Sequence, residues 1–179
     1  MFSFTGVFDS ILLKDFRWHN SPKQDEERLA QDVQRTLRDD VVRSLRKDLY
    51  CPSKSVMKLR ELMQHLDDKL TSEEMDPQEF LQLLFKKVFN LNEFMPLSSG
   101  QADFFHQVLI QQNENDKGKL PTVQQLFEQS LMMQELKLKG VPTPALILQM
   151  PRSGNKYKMY DGILPNLTID ITDLLEDGK

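Results

Sequence analysis

Between Asp25 and Tyr50 an aliphatic residue recurs at every fourth position: Leu29, Val33, Leu37, Val41, Leu45 and Leu49. A helix advances about 100° per residue, so each step of four carries such a stripe on by about 40°, and five steps by about 200°. One straight helix cannot hold that stripe against a single core. The pattern demands a discontinuity near Asp39-Asp40, or two different partners along its length. The interleaved Arg, Asp and Glu side chains read as a solvated face rather than a binding patch.

Helical spacing dominates the rest of the first ninety positions. Phe2, Phe4, Val7, Phe8, Ile11 and Leu12 predict a first helix of about three turns. A loop around Asn20-Ser21-Pro22 separates it from the long stripe. Val56, Leu59, Leu62, Met63, Leu66 and Leu70 predict another amphipathic helix after the Cys51-Pro52-Ser53 turn. The clearest start signal is Asp76-Pro77-Gln78-Glu79. Asp76 is placed to accept free backbone N–H groups at the N-cap, proline's missing donor is harmless at the first helical position, and Glu79 falls at the third. Phe80, Leu81, Leu84, Phe85, Val88 and Phe89 would bury the helix beyond it.

After about Asn90 the texture changes. Ala102–Gln112 reads as a strand, residues 112–119 as a polar turn, and Thr122 as the cap of a short helix carrying Val123, Leu126, Phe127 and Leu131. Three further strands are expected at Ala145–Met150, Lys156–Tyr160 and Thr168–Ile171. The order is helices first and short strands after, an α+β arrangement without repeats.

Composition narrows the function. At 179 residues the chain is about one domain long, and 39% hydrophobic with 28% charged residues is a globular balance. The longest apolar run, Ala145-Leu146-Ile147-Leu148, is far below the roughly 20 residues of a membrane span. The start lacks a basic segment, and Asp9 interrupts the apolar stretch of any secretory signal. A net charge of −4 argues against nucleic acid or an acidic membrane as partner. The single cysteine, Cys51, allows neither an internal disulfide nor a cysteine zinc site, so a reducing, cytoplasmic setting is expected.

No active site is visible from residue types alone. Cys51 sits at a turn without a glycine-rich or helix-N-terminal setting to activate it, and reads as an ordinary cysteine. His19 lies in a loop, His65 on a polar stretch of helix and His106 within an apolar strand; no pair has metal-ligand spacing. Phosphate-binding and nucleophile-elbow motifs are absent. No cofactor and no metal site is expected.

Five ordered segments nevertheless resemble one family. Thr71–Phe85, with Asp76-Pro77-Gln78-Glu79-Phe80-Leu81, resembles the Asp-x-x-Glu-Phe-Leu box of ubiquitin-specific proteases, in the Asp-Pro version of one subfamily. Val141–Arg152, ending Gln149-Met150-Pro151-Arg152, is similar to that subfamily's form of a palm strand, and Ile163–Asp177 to the segment C-terminal to that strand. Ser55–Leu62, ahead of these, and Lys119–Leu131, between the first two, fit in the same order. Ser153 departs from the pattern, which usually places an aromatic residue after the arginine.

The resemblance implies a papain-like cysteine-peptidase fold in part: a helical thumb over residues 1–90, then the first strands of a mainly β palm over 91–179. It implies a thiol hydrolase acting after the C-terminal glycine of ubiquitin, on linear and certain lysine-linked chains, with ubiquitin or polyubiquitin as partner. The family's nucleophilic cysteine would fall upstream of Met1. A zinc-binding insertion and the catalytic histidine would fall beyond Lys179. No catalytic residue is therefore assigned, and the chain by itself is expected to be inactive. The alternative is a catalytically dead module that binds ubiquitin or a partner. Asp76 and Glu79 correspond to carboxylates beside the channel for ubiquitin's arginine-containing tail; capping alone, and capping together with tail contact, both fit them.

Overall fold

A computed structural model of the chain describes residues 6–13, 24–66, 76–110, 120–150 and 160–176. Phe2, Phe4, the 18–23 loop, Leu70, the 112–119 turn and most of the strand expected at 156–160 lie outside the described residues. The chain divides into two compact units, Met1–Asn92 and Glu93–Lys179.

The first unit is helical. α1 (Asp9–Leu12) is one turn, and its end is held by Gln34, whose Nε2 donates to the carbonyls of Ile11 at 2.9 Å and Leu12 at 3.3 Å. This satisfies carbonyls that a helix end leaves without intrahelical donors, and it explains why Gln34 is buried. α2 (Gln24–Thr36) opens on Asp25, Glu26 and Glu27 and has Arg35 in its last turn, the charge order that suits the helix dipole.

The discontinuity expected at Asp39-Asp40 is present, but it widens the helix without breaking it. Leu37–Val42 form a π-turn, after which α3 (Arg43–Asp48) continues, and the Arg43 N–H reaches the carbonyl of Arg38. Buried positions run Ala30, Val33, Leu37 and then Val42. The last step is five residues, and it returns the stripe to the core after its drift. Val41 and Leu45 are consequently half-buried, and Leu49 is 76% exposed. The Ser44 hydroxyl donates to the Asp40 carbonyl at 3.0 Å inside this region.

α4 (Ser53–Gln64) packs Leu59 and Met63 against α2. α5 (Pro77–Leu83) starts at Asp76 as expected and runs into a second π-turn, Leu84–Val88, which also packs against α2. Leu83, Leu84, Phe85, Val88 and Phe89 are buried, whereas Phe80 and Leu81 are only half-buried. The Phe8 and Phe85 rings stack with centroids 5.4 Å apart. Each such fully buried ring contributes roughly 1.5–3 kcal/mol.

The second unit is built on short pairings. β1 (Met95–Pro96) lies antiparallel to β2 (Ala102–Asp103), across a turn in which Gly100 takes φ +87°. β3 (His106–Gln107) runs parallel to β4 (Leu148–Gln149). The single strand expected over Ala102–Gln112 is thus divided between two sheets. Asp103 causes the division: its Oδ1 accepts the Phe104 N–H at 2.6 Å, so the backbone turns out of the first ladder. Of Ala145–Met150 only Leu148–Gln149 form a strand.

α6 (Val123–Met133) begins with a full capping box: Thr122 Oγ1 accepts the Gln125 N–H, and Gln125 Oε1 accepts the Thr122 N–H. The strand expected at Thr168–Ile171 is not formed. Asp170 Oδ1 accepts both the N–H and the hydroxyl of Thr172, starting a 3₁₀ turn at Thr172–Leu174. The Gln124 side chain takes the place of a neighbouring strand, donating to the Asp170 carbonyl and accepting its N–H. Met95, Leu97, Phe127, Leu131 and Leu138 form the core of this unit. Leu138 bridges Leu97 on one side and Leu175 on the other.

Candidate functional site

The two carboxylates singled out by sequence stand together at the start of α5. Asp76 is extended (φ −62°, ψ 136°), and its Oδ1 accepts the Gln78 N–H at 2.7 Å. Pro77 occupies the first helical position and Glu79 the first turn. The expected cap is therefore real, and it is one-sided: among the described residues the Glu79 side chain makes no return bond to Asp76. Asp76 is exposed and Glu79 lies one turn along the same helix start. The cap uses one oxygen of Asp76, and a carboxylate has two, so this edge can bind a cation while the helix start stays capped.

The other candidates fall apart from one another. Cys51 is half-buried, with Sγ 3.7 Å from the carbonyl oxygens of Asp40 and Pro52. Those are acceptors for an S–H, and no base oriented by a third group adjoins it among the described residues. His65 is exposed just past the end of α4, and His19 lies outside the described residues. No group of three or more His, Cys, Asp or Glu side chains suited to a metal occurs among the described residues. No helix among them is long and apolar enough to cross a membrane.

His106 has a partner that the sequence did not reveal. Its Nε2 lies 2.9 Å from the hydroxyl of Ser130, both residues buried, and its ring meets Phe127 edge-on. The Ser130 oxygen also accepts the Leu109 N–H at 2.8 Å and the Gln134 Nε2 at 3.0 Å. With its lone pairs so engaged, the hydroxyl donates its proton to His106 Nε2, and the imidazole is neutral with its own proton on Nδ1. Burial pushes the imidazole below its ordinary pKa, the charge of Asp103 pulling the other way. A serine with no exposed surface and a fully used oxygen is not a nucleophile; the pair pins β3 to α6. Nothing in the sequence pairs a histidine with a serine 24 residues away.

No family model matches the chain. Against curated proteins it aligns along nearly its whole length with ubiquitin carboxyl-terminal hydrolases. These relatives are ubiquitin carboxyl-terminal hydrolase CYLD of Homo sapiens and of Pongo abelii, each 36% identical over 183 residues, and of Mus musculus, 35% identical over 184. The match takes in 99% of this chain and 18% of each relative. The chain is therefore similar to one segment of CYLD and spans about a fifth of the length of the curated relatives it matches.

Proposed function

We propose that this chain is the thumb-and-palm segment of a CYLD-type, cysteine-dependent deubiquitinase. In this reading residues 1–90 supply helical thumb and 91–179 the first part of the palm. The observation that carries it is the 36% identity sustained over 99% of the chain. The whole enzyme would cleave after the C-terminal glycine of ubiquitin, on linear and certain lysine-linked chains, in the cytoplasm. The chain alone would not, because its sole thiol, Cys51, faces two carbonyl oxygens and has no adjoining base among the described residues.

Asp76 and Glu79 would hold the arginine-containing tail of ubiquitin by charge-assisted hydrogen bonds. Asn caps a helix about as well as Asp, so Asp76→Asn removes the charge and keeps the cap. Binding of a fluorescent ubiquitin C-terminal peptide to the full chain should weaken in Asp76→Asn and in Glu79→Gln, with the helical circular dichroism unchanged. Unaltered binding in both variants would remove the tail contact. Turnover of a ubiquitin-derived fluorogenic substrate that survives Cys51→Ala would remove the inactive-segment reading.

The setting of Cys51 also supports a second reading, a ubiquitin- or partner-binding module without catalysis. The transcript separates the two. A cysteine box before Met1 and a histidine box after Lys179 favour the hydrolase.

A further inference from the structure

In the second unit the irregular segment from Ile163 to Ile171 forms a ridge tied to the start of α6. Leu164 donates its N–H to the Pro121 carbonyl at 2.9 Å and accepts the Val123 N–H at 3.0 Å. Asn166 Oδ1 accepts the Gln124 N–H at 2.9 Å, and the Gln124 side chain holds Asp170 through both its N–H and its carbonyl. Between these ties the Leu167 side chain is fully exposed, and Leu164 is exposed as well. A partner that covers these leucines meets a backbone already fixed, which lowers the ordering cost of binding. From Tyr160 to Glu176 there is no Lys, Arg or His, whereas Asp161, Asp170, Asp173 and Glu176 all fall there. Asp161, Asp173 and Glu176 are exposed and make no ion pair among the described residues.

The first unit carries the opposite combination where α3 ends and α4 begins. Leu49, Tyr50, Val56 and Met57 are all exposed at this corner. Lys54, Met57 and Lys58 fall at i, i+3 and i+4 of α4, which places them on one helix face. Lys58 is committed to Asp40 at 2.8 Å, whereas Lys47 and Lys54 are exposed and make no ion pair among the described residues. Asp48 is the only carboxylate in the sequence from Lys47 to Lys58.

We propose that these two surfaces join one copy of the chain to the next, the Leu164–Leu167 ridge of one copy seating on the Leu49–Met57 corner of another. The argument is complementarity in both chemistry and charge. An apolar tip within an acidic segment meets an apolar corner that holds two uncommitted lysines. Because the two surfaces differ, the contact is heterologous. A pair of copies keeps one open ridge and one open corner, so assembly continues head to tail unless a ring closes. One loop against one helix corner is smaller than the interface of an obligate dimer, so the association is weak and reversible. The pairing does not depend on the hydrolase reading.

Sedimentation velocity of the full chain between about 10 and 500 µM reads the oligomeric state. The weight-average mass should rise across that range at about 50 mM salt and fall back at about 300 mM. Leu167→Asp on the ridge and Met57→Asp on the corner should each weaken association at least about tenfold, with circular dichroism unchanged because both side chains face solvent. Should Met57→Asp unfold, the Lys47→Glu, Lys54→Glu double variant gives the same comparison without touching an apolar residue. An equimolar mixture of the ridge variant and the corner variant should form a dimer and nothing larger, since one supplies only an intact corner and the other only an intact ridge. A wild-type chain that stays monomeric throughout, variants that associate as the wild type does, association equal at both salt concentrations, or a mixture that stays monomeric overturns the proposal. Loss with Met57→Asp but not with Leu167→Asp would mean that the corner pairs with itself, and that also overturns it.

Discussion

Ser130 and His106 fix each other's protons: the serine oxygen receives N–H groups from Leu109 and Gln134, so its own hydrogen must point at Nε2, 2.9 Å away. A second proton on that imidazole would set N–H against a filled oxygen in a buried site, and burial already lowers the imidazole's pKa in the folded chain. The unfolded chain then binds the proton more readily than the folded one. Stability should be full above the unfolded value of about 6.5 and fall as pH drops through it towards the lower folded value. Denaturant melts at successive pH values should show this slope, and His106→Gln should flatten it. Ser130→Ala, which strands the Leu109 N–H and the histidine nitrogen, should cost roughly 1–3 kcal/mol at neutral pH.

The π-turn makes a prediction about two adjacent valines. Val42 is 2% exposed and Val41 half-buried, the reverse of what an uninterrupted four-residue stripe requires. Val42→Ala should cost about 2 kcal/mol and Val41→Ala under about 1 kcal/mol. Urea titrations of the two variants compare them directly. A larger loss at Val41 would mean that the helix is wound regularly there.

Leu49 ends α3 with φ 55°, a left-handed conformation that costs an L-residue roughly 1–2 kcal/mol. Its side chain is 76% exposed, so little packing is lost on removing it. Leu49→Gly should therefore raise stability by about 0.5–1 kcal/mol after glycine's greater chain entropy is set against the relief. Calorimetry of the wild type and the variant would register this as a higher Tm, and a lower one would show that Leu49 packs in solution.

Two helices were most legible because each carried both a periodic stripe and a terminal signal: Asp76-Pro77 for α5, Thr122 for α6. The strands were less so. Propensity marked Thr168–Ile171 as extended, yet Asp170 and Gln124 satisfy that backbone with side chains, a local competition that alternation does not encode. The drift of the Leu29–Leu49 stripe announced an irregularity, while its form, one extra residue per turn, needed the core to choose Val42. Asp76 and Glu79 were findable by motif. The contacts around His106 join residues distant in sequence, and no spacing rule brings them together.

Leu138 has a consequence for the order of assembly. Its backbone N–H donates to Leu174 and its carbonyl accepts from Glu176, while on its other side it bridges Leu97. Neighbouring ties, Lys137 to Ser98 and Gln124 to Asp170, close loops of 39 and 46 residues. Such closures must be made before their contacts reward them, so the second unit should form more slowly than helices held by local contacts. During synthesis Leu138 emerges well before residues 174–176. Until those leave the ribosome, one edge of Leu138 stays open to any other extended segment, and chains stopped short of Leu174 should be the ones that aggregate.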